Sequence, residues 1–158
     1  MFSGKNSTAA GDPPSAYDHA VMLLARREHS VAELHTKMGR NGYTRQDIAE
    51  AVEQLQQAGL QSDERFCEVF LRSRIGRGQG PLKIDAELRQ RGISSALIAL
   101  TLEAAEVDWK AMARDVLVRK YSFPVSDARE RAKRLRFLAS RGFNAEQSYA
   151  ALAADGDQ

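Results

Sequence analysis

The sequence predicts an all-α fold of three tandem three-helix repeats, and three observations predict it. A glycine followed by one large apolar and one small polar residue recurs at intervals of fifty: Gly42-Tyr43-Thr44, Gly92-Ile93-Ser94 and Gly142-Phe143-Asn144. Each glycine has an apolar residue four positions before it (Met38, Leu88, Leu138) and another ten after it (Val52, Leu102, Leu152). No stretch alternates apolar and polar residues with β-branched enrichment, so no strand is expected.

The recurring triplet reads as a joint between helices. Glycine just past a helix readily takes the left-handed conformation that closes the last turn. Thr44, Ser94 and Asn144 then offer a side-chain oxygen to the orphan N–H groups of the next helix. Tyr43, Ile93 and Phe143 precede those caps and can staple to the fourth helical position. That position is Ile48, Ile98 and, in the third copy, Ser148, so the third staple is incomplete.

The helix leading into each joint has its own start signal. Ser30 and Glu33 form a capping box opening a helix near Val31. Gly80-Pro81 puts proline at a first helical position, where its missing N–H costs nothing. Asp127, with Glu130 three residues on, starts the helix before the third joint. A further amphipathic segment precedes each of these: Tyr17–Arg27, Asp63–Arg74 and Asp108–Tyr121. In them Val21/Leu24, Phe66/Val69/Phe70 and Trp109/Met112/Val116 follow helical spacing. The repeats are expected at 17–60, 61–106 and 107–153, with a mobile polar tail at 1–16 and a short tail at 154–158. A unit of roughly 45 residues buries little core alone, so stacking on its neighbour should stabilise it. An elongated modular molecule with room to curve follows, offering a long surface and no deep pocket.

Charge narrows the function classes by its distribution. The chain carries 23 basic and 21 acidic residues, but 110–141 holds ten Lys or Arg against three acids. Over ARERAKRLRFLASR (128–141), Ala132, Leu135, Leu138 and Ala139 mark an inward face. Arg129, Arg131, Lys133, Arg134 and Arg136 spread over the remainder. Six bases against one acid over 129–141 exceed what solubility requires and suit a polyanion such as nucleic-acid phosphates. A single cysteine, Cys67, excludes an intrachain disulfide and a Cys-rich zinc site. No apolar run approaches the ~20 residues of a membrane span, and no secretory signal is evident. A cytoplasmic location is expected.

The remaining motifs favour structural readings. IGRGQGP (75–81) has neither the Gly-Lys-Ser/Thr nor the preceding strand of a phosphate loop, and reads as a basic hinge. Its bare glycine backbone beside Arg72, Arg74 and Arg77 can still approach an anion closely. His29 and His35 are six apart, so they do not share a face as zinc ligands would, and both are expected at the surface or at a cap. Cys67 reads as a small core residue and Trp109 as a core anchor after the cap Asp108. No nucleophile, base or carboxylate pair has a supporting context, so no enzyme, cofactor or metal is expected.

SDERFCEVFLRSRIGRGQGPLKIDAELRQRGIS (62–94) resembles the signature of the RecX family, regulators of the RecA recombinase. The matching positions are Asp63, Arg65, Phe66, the basic Arg72, Arg74 and Arg77, then Gly80, Pro81, Ile84, Glu87, Leu88, Gly92 and Ile93. LLARREHSVAELHTKM (23–38) is similar to the family's opening block and RAKRLRFLASRGF (131–143) to its closing one. Cys67 departs from the usual alanine, and Ser148 from the usual aliphatic staple. The resemblance implies an all-helical regulator that binds the RecA filament on single-stranded DNA, blocks its extension or promotes disassembly, and dampens recombination and the SOS response. Nothing in the sequence suggests an obligate dimer, and a monomer is expected. A general helical DNA-binding protein that competes for DNA is the alternative. The expected contact surface for RecA and DNA phosphates is Arg72, Arg74, Arg77, Lys83, Arg119, Lys120, Arg129, Arg131, Lys133, Arg134 and Arg136.

Overall fold

The structure, a computed structural model, describes residues 11–156. Most of the stretch expected to be an N-terminal tail, 1–10, lies outside the described residues, as do 157 and 158. Among the described residues there are nine helices and no strand. They are α1 (Ala16–Arg26), α2 (Val31–Arg40), α3 (Arg45–Gln57), α4 (Asp63–Gly76), α5 (Pro81–Gln90), α6 (Ser95–Ala104), α7 (Trp109–Lys120), α8 (Ala128–Ser140) and α9 (Ala145–Gly156). α9 runs on into the stretch read as a C-terminal tail.

Capping side chains account for most helix starts. Ser15, Ser30, Thr44, Ser62, Ser94, Asp108 and Asp127 each accept from the backbone N–H three residues on, at 2.8–3.2 Å. Asn144 and Gln147 cap reciprocally: the Gln147 N–H donates to Asn144 Oδ1 at 2.8 Å and the Asn144 N–H to Gln147 Oε1 at 2.9 Å. Each such cap contributes about 1 kcal/mol. The joint glycines take left-handed φ values of +90° at Gly42, +78° at Gly92 and +97° at Gly142.

The chain divides after Phe66 into two compact units. In the first, α1, α2 and α3 enclose Ala20, Leu34, Met38, Ile48, Val52 and Leu55, with Leu24 and Tyr43 packed against them. Val21, expected inside, is exposed, because α1 turns its small Ala20 to the core instead. Buried polar groups tie the unit's loops together. Asp63 accepts from the Val31 N–H at 3.0 Å and from Gln61 Nε2 at 2.9 Å, and Gln61 Nε2 also donates to the His29 carbonyl at 3.2 Å. Arg65 pairs with Glu28 at 2.6 Å and donates to the carbonyls of Gly59 and Leu60. The signature residues Asp63 and Arg65 therefore hold backbone.

His29 corrects a sequence expectation: it is fully buried, not a surface residue. Its Nδ1 lies 3.0 Å from the Arg27 carbonyl and its Nε2 3.1 Å from Lys37 Nζ. The tautomer with hydrogen on Nδ1 satisfies both contacts. Burial pushes its pKa below the ordinary value, and the charges of Arg27 and Lys37 push the same way, against the hydrogen bond to Arg27. For Glu33, burial pushes upward. The Arg27 fork and the Ser30 N–H outweigh it and hold the carboxyl below its usual range.

In the second unit Cys67, Phe70, Leu71, Ile84, Leu88, Ile93 and Ile98 are buried around α4, α5 and α6. Val69, expected inward, is exposed, because α4 buries the pairs 66/67 and 70/71. Arg74 and Arg91 lie over the Phe70 ring, 4.3 and 4.6 Å from its centroid, and Arg74 also pairs with Glu87 at 2.8 Å. The third repeat packs α7, α8 and α9 around Ala113, Leu117, Leu138, Phe143, Ala151 and Leu152, with Trp109 against them. Ser148, the missing staple, is itself buried, so α9 stays packed through its alanine and leucine positions.

α5 has no side-chain cap, because its cap residue is Gly80. Its orphan donors are met by the third joint: the Gly80 N–H donates to the Arg141 carbonyl at 2.6 Å and the Leu82 N–H to the Gly142 carbonyl at 2.9 Å. The backbones approach so closely that a Cβ on Gly80 would stand 2.5 Å from the Gly142 carbonyl atoms, and one on Gly142 would strike Lys83. Here the glycine works as a turn former and as a contact surface.

Candidate anion-binding hollow

That backbone contact brings the turn after α4 beside the ends of α7 and α8. Between them lies a hollow of about 230 Å³, lined by Gly76, Arg77, Gly78, Val116, Arg119, Lys120, Phe137 and Arg141. Gly78, at φ +77°, lets the turn lie against Val116, whose Cγ2 would be 3.1 Å from any added Cβ. The cations come from three segments: Arg77 from the turn, Arg119 and Lys120 from the last turn of α7, and Arg141 from the cap of α8. Phe137 is the ring between them, with Arg141 5.3 Å and Lys120 5.8 Å from its centroid. Arg141 also reaches the Arg77 carbonyl at 3.4 Å.

These cations converge on one hollow without a counter-charge. Elsewhere Arg27, Arg65, Arg74, Arg89, Lys110 and Arg134 pair with Glu33, Glu28, Glu87, Asp85, Glu146 and Glu130. Among the described residues none of the four around the hollow has a carboxylate partner, and no acidic side chain lines it. Converging like charges raise the local potential and draw an anion. A phosphate or carboxylate oxygen about 4 Å from one such cation gains roughly 1–4 kcal/mol, according to how far water is excluded.

Of the sequence-predicted residues, the structure brings Arg77, Arg119 and Lys120 together here. Lys133, Phe137 and Arg141 step along one face of α8 at helical spacing, and Lys133 Nζ lies 5.9 Å from the Tyr121 ring. Arg129, Arg131 and Arg136 are exposed elsewhere on α8, with Arg131 6.0 Å from the Tyr149 ring. Arg72 is exposed at a separate, more apolar depression with Glu68. Arg74 is engaged with Glu87 and Phe70, and half-buried Lys83 packs its stem against Gly142. Arg134 is a correction: the spacing put it on the exposed face, yet its side chain is 3% exposed. It donates to Glu130 Oε1 at 3.2 Å and to the Phe123 carbonyl at 2.5 Å, and stacks 4.6 Å from the Tyr121 ring. Sequence reasoning missed Arg141 and Phe137 as lining residues. Their spacing of four and eight residues from Lys133 was the available signal.

Nine helices in three-helix repeats, with four cations gathered at one hollow, define an all-helical repeat protein among the described residues. Family models of the first, second and third three-helix domains of RecX match residues 16–55, 62–102 and 106–152. The chain is 47% identical over 136 residues to a regulatory protein RecX of Chromohalobacter salexigens, covering 86% of this chain and 90% of that one. It is 46% identical over 149 residues to a regulatory protein RecX of Halorhodospira halophila, covering 94% and 92%. The crystal structure of RecX from Lactobacillus salivarius shares the fold, with a TM-score of 0.79 at 18% identity over 90% of this chain and 96% of that one. The chain belongs to the RecX family of regulatory proteins. No helix among the described residues is long and apolar enough to cross a membrane.

Proposed function

We propose that this protein regulates the RecA recombinase without catalysing a reaction. It binds RecA filaments on single-stranded DNA in the cytoplasm, as a monomer, and opposes their extension or promotes their disassembly. Recombination and the SOS response are dampened as a result. Family membership supports RecA as partner. The observation that carries the mode of action is the hollow of Arg77, Arg119, Lys120 and Arg141 with no counter-charge, which fits a phosphate of the filament's DNA. Exposed Arg129, Arg131, Lys133 and Arg136 extend the basic surface, and Arg72 adds a cation apart from it. Arg74, Lys83 and Arg134 act as structural residues in this reading.

The test is RecA ATPase on single-stranded DNA, titrated with wild type and with a variant in which Arg77, Arg119, Lys120 and Arg141 are alanine. Wild type should suppress turnover at ratios well below one per RecA protomer, and the variant should need far more protein. Suppression only at ratios that coat the DNA would favour a second reading, a general DNA binder acting by competition. Pull-down with RecA, with and without single-stranded DNA across a salt series, separates the two.

A further inference from the structure

The loop from α7 to α8, Tyr121-Ser122-Phe123-Pro124-Val125-Ser126-Asp127, carries the most exposed large apolar side chain among the described residues: Phe123, at 79%. The ring stands at a bend whose shape is fixed from three sides. Pro124 restricts the preceding backbone to extended conformations. Tyr121 and Val125 pack against the third core. Arg134, buried within the repeat, donates to the Phe123 carbonyl while Glu130 and the Tyr121 ring hold its guanidinium. Burying a guanidinium is costly, and here it fixes the backbone of a surface loop that leaves an aromatic ring in solvent.

Cations flank the loop that carries the ring, with Asp127 and Glu130 the acids beside it. Lys120 lines the hollow and is three residues from Phe123, so their Cα atoms lie within about 11 Å by chain length alone. Arg119 precedes Lys120, and Lys133 sits over the Tyr121 ring. Aromatic faces set among basic side chains are what a single strand uses, because its unpaired bases can stack while its phosphates follow the charge. A duplex offers no free base face to such a ring. We infer that Phe123 is a stacking platform for a base of single-stranded nucleic acid whose phosphates pass over Lys120, Arg119 and Lys133. The inference rests on the reading that the basic surface meets nucleic acid, and adds that the strand is read through its bases as well as its charge.

The test uses the full chain and two labelled oligonucleotides of equal length and charge, one of thymidines and one of abasic sites. Fluorescence anisotropy at fixed salt compares wild type with Phe123→Ala and Phe123→Trp. The alanine variant should bind the thymidine strand about 5- to 150-fold more weakly, the range for losing one stacked base. It should bind the abasic strand as wild type does, with an unchanged salt slope. Phe123→Trp should keep the affinity, and its added indole emission should be quenched by the thymidine strand alone. Wild-type affinity of Phe123→Ala for thymidine would overturn the inference and leave the phosphate reading standing. Intact strand binding with lost suppression of RecA ATPase would also overturn it, placing the ring against protein. Wild type that binds neither strand overturns both readings.

Discussion

Gly142 is required twice, and two substitutions separate the requirements. Its φ of +97° penalises any β-carbon by roughly 1–2 kcal/mol, a penalty that asparagine largely escapes. Its position against Lys83 and the Gly80 carbonyl penalises any β-carbon again, by about 1–3 kcal/mol of overpacking, which asparagine does not escape. Gly142→Ala should therefore cost about 2–5 kcal/mol and Gly142→Asn about 1–3 kcal/mol. Gly42 is the control. It has φ +90° but nothing within 4 Å of an added Cβ. Gly42→Ala should cost about 1–2 kcal/mol, and Gly42→Asn should stay within about 0.5 kcal/mol of wild type.

The assay for Gly142 is urea unfolding followed by the fluorescence of Trp109, the only tryptophan, which packs on the third core. With a denaturant slope of roughly 1–2 kcal/mol per molar, the asparagine variant's midpoint should fall by about 0.5–3 M. Amide hydrogen exchange in α2 and α3 reports on Gly42. A Gly142→Asn midpoint equal to that of wild type would refute the reasoning. The glycine would then be there for its dihedral alone, and the approach to Lys83 would be without energetic consequence.

Other outcomes follow from the same geometry. Arg134→Met should lower stability by about 2–4 kcal/mol in the Trp109 assay, because it strands the Phe123 carbonyl and Glu130. Arg136→Ala, on the exposed side of the same helix, should change stability by no more than about 0.5 kcal/mol. Replacing Arg77, Arg119, Lys120 and Arg141 by alanine should flatten the dependence of log K on log salt for single-stranded DNA, by roughly 0.7 for each phosphate no longer neutralised. The first unit should lose stability in acid. The unfolded chain protonates His29 at its ordinary value near 6.5, and the folded one only at lower pH, so this contribution is present above about pH 6.5 and fades as pH falls through the folded value. Glu33 adds a second loss in the same direction, beginning as pH falls through the ordinary carboxylate value, where the unfolded chain protonates, and ending below the lowered folded one. His29→Gln should flatten the first of these phases, read by hydrogen exchange in α2 at pH 7.5 and 5.5.

The joints were legible because each is a local device. A left-handed glycine, a capping oxygen and a stapling side chain lie within about seven residues and need no knowledge of the rest of the chain. The same locality explains where periodicity went one position astray. Ala20 and Val21 are both apolar, and only the neighbour's shape decides that the smaller one faces in. Arg134 was illegible for a stronger reason: in a run of five bases nothing local marks the one whose partners are a carbonyl eleven residues back and an aromatic ring beside it. His29 likewise stands beside a cap, and its burial depends on contacts from Gln61 and Lys37. The hollow gathers residues from position 76 to position 141, so the charge count in the sequence pointed to the right third of the chain without giving the constellation.

The three joints share a turn but not a task. Around Gly42 an added β-carbon would meet open space, whereas around Gly142 it meets another repeat's backbone. The difference matters for the hollow, because its walls stand next to that contact in the chain. Arg77 and Gly78 lie just before Gly80, and Arg141 just before Gly142. The bonds from Gly80 N–H to the Arg141 carbonyl and from Leu82 N–H to the Gly142 carbonyl set the distance between those walls. Long cationic side chains hold a geometry poorly, since each loses up to ~2 kcal/mol of rotamer freedom when fixed. The two backbone bonds, Gly80 to Arg141 and Leu82 to Gly142, hold it without fixing a long side chain. Gly142→Asn should therefore weaken single-strand binding under conditions where the variant is still fully folded, although no charge has been removed and the salt slope is unchanged. A variant that loses stability and keeps its affinity would mean that the cations gather round the anion by their own flexibility, and that the glycine contact serves the fold alone.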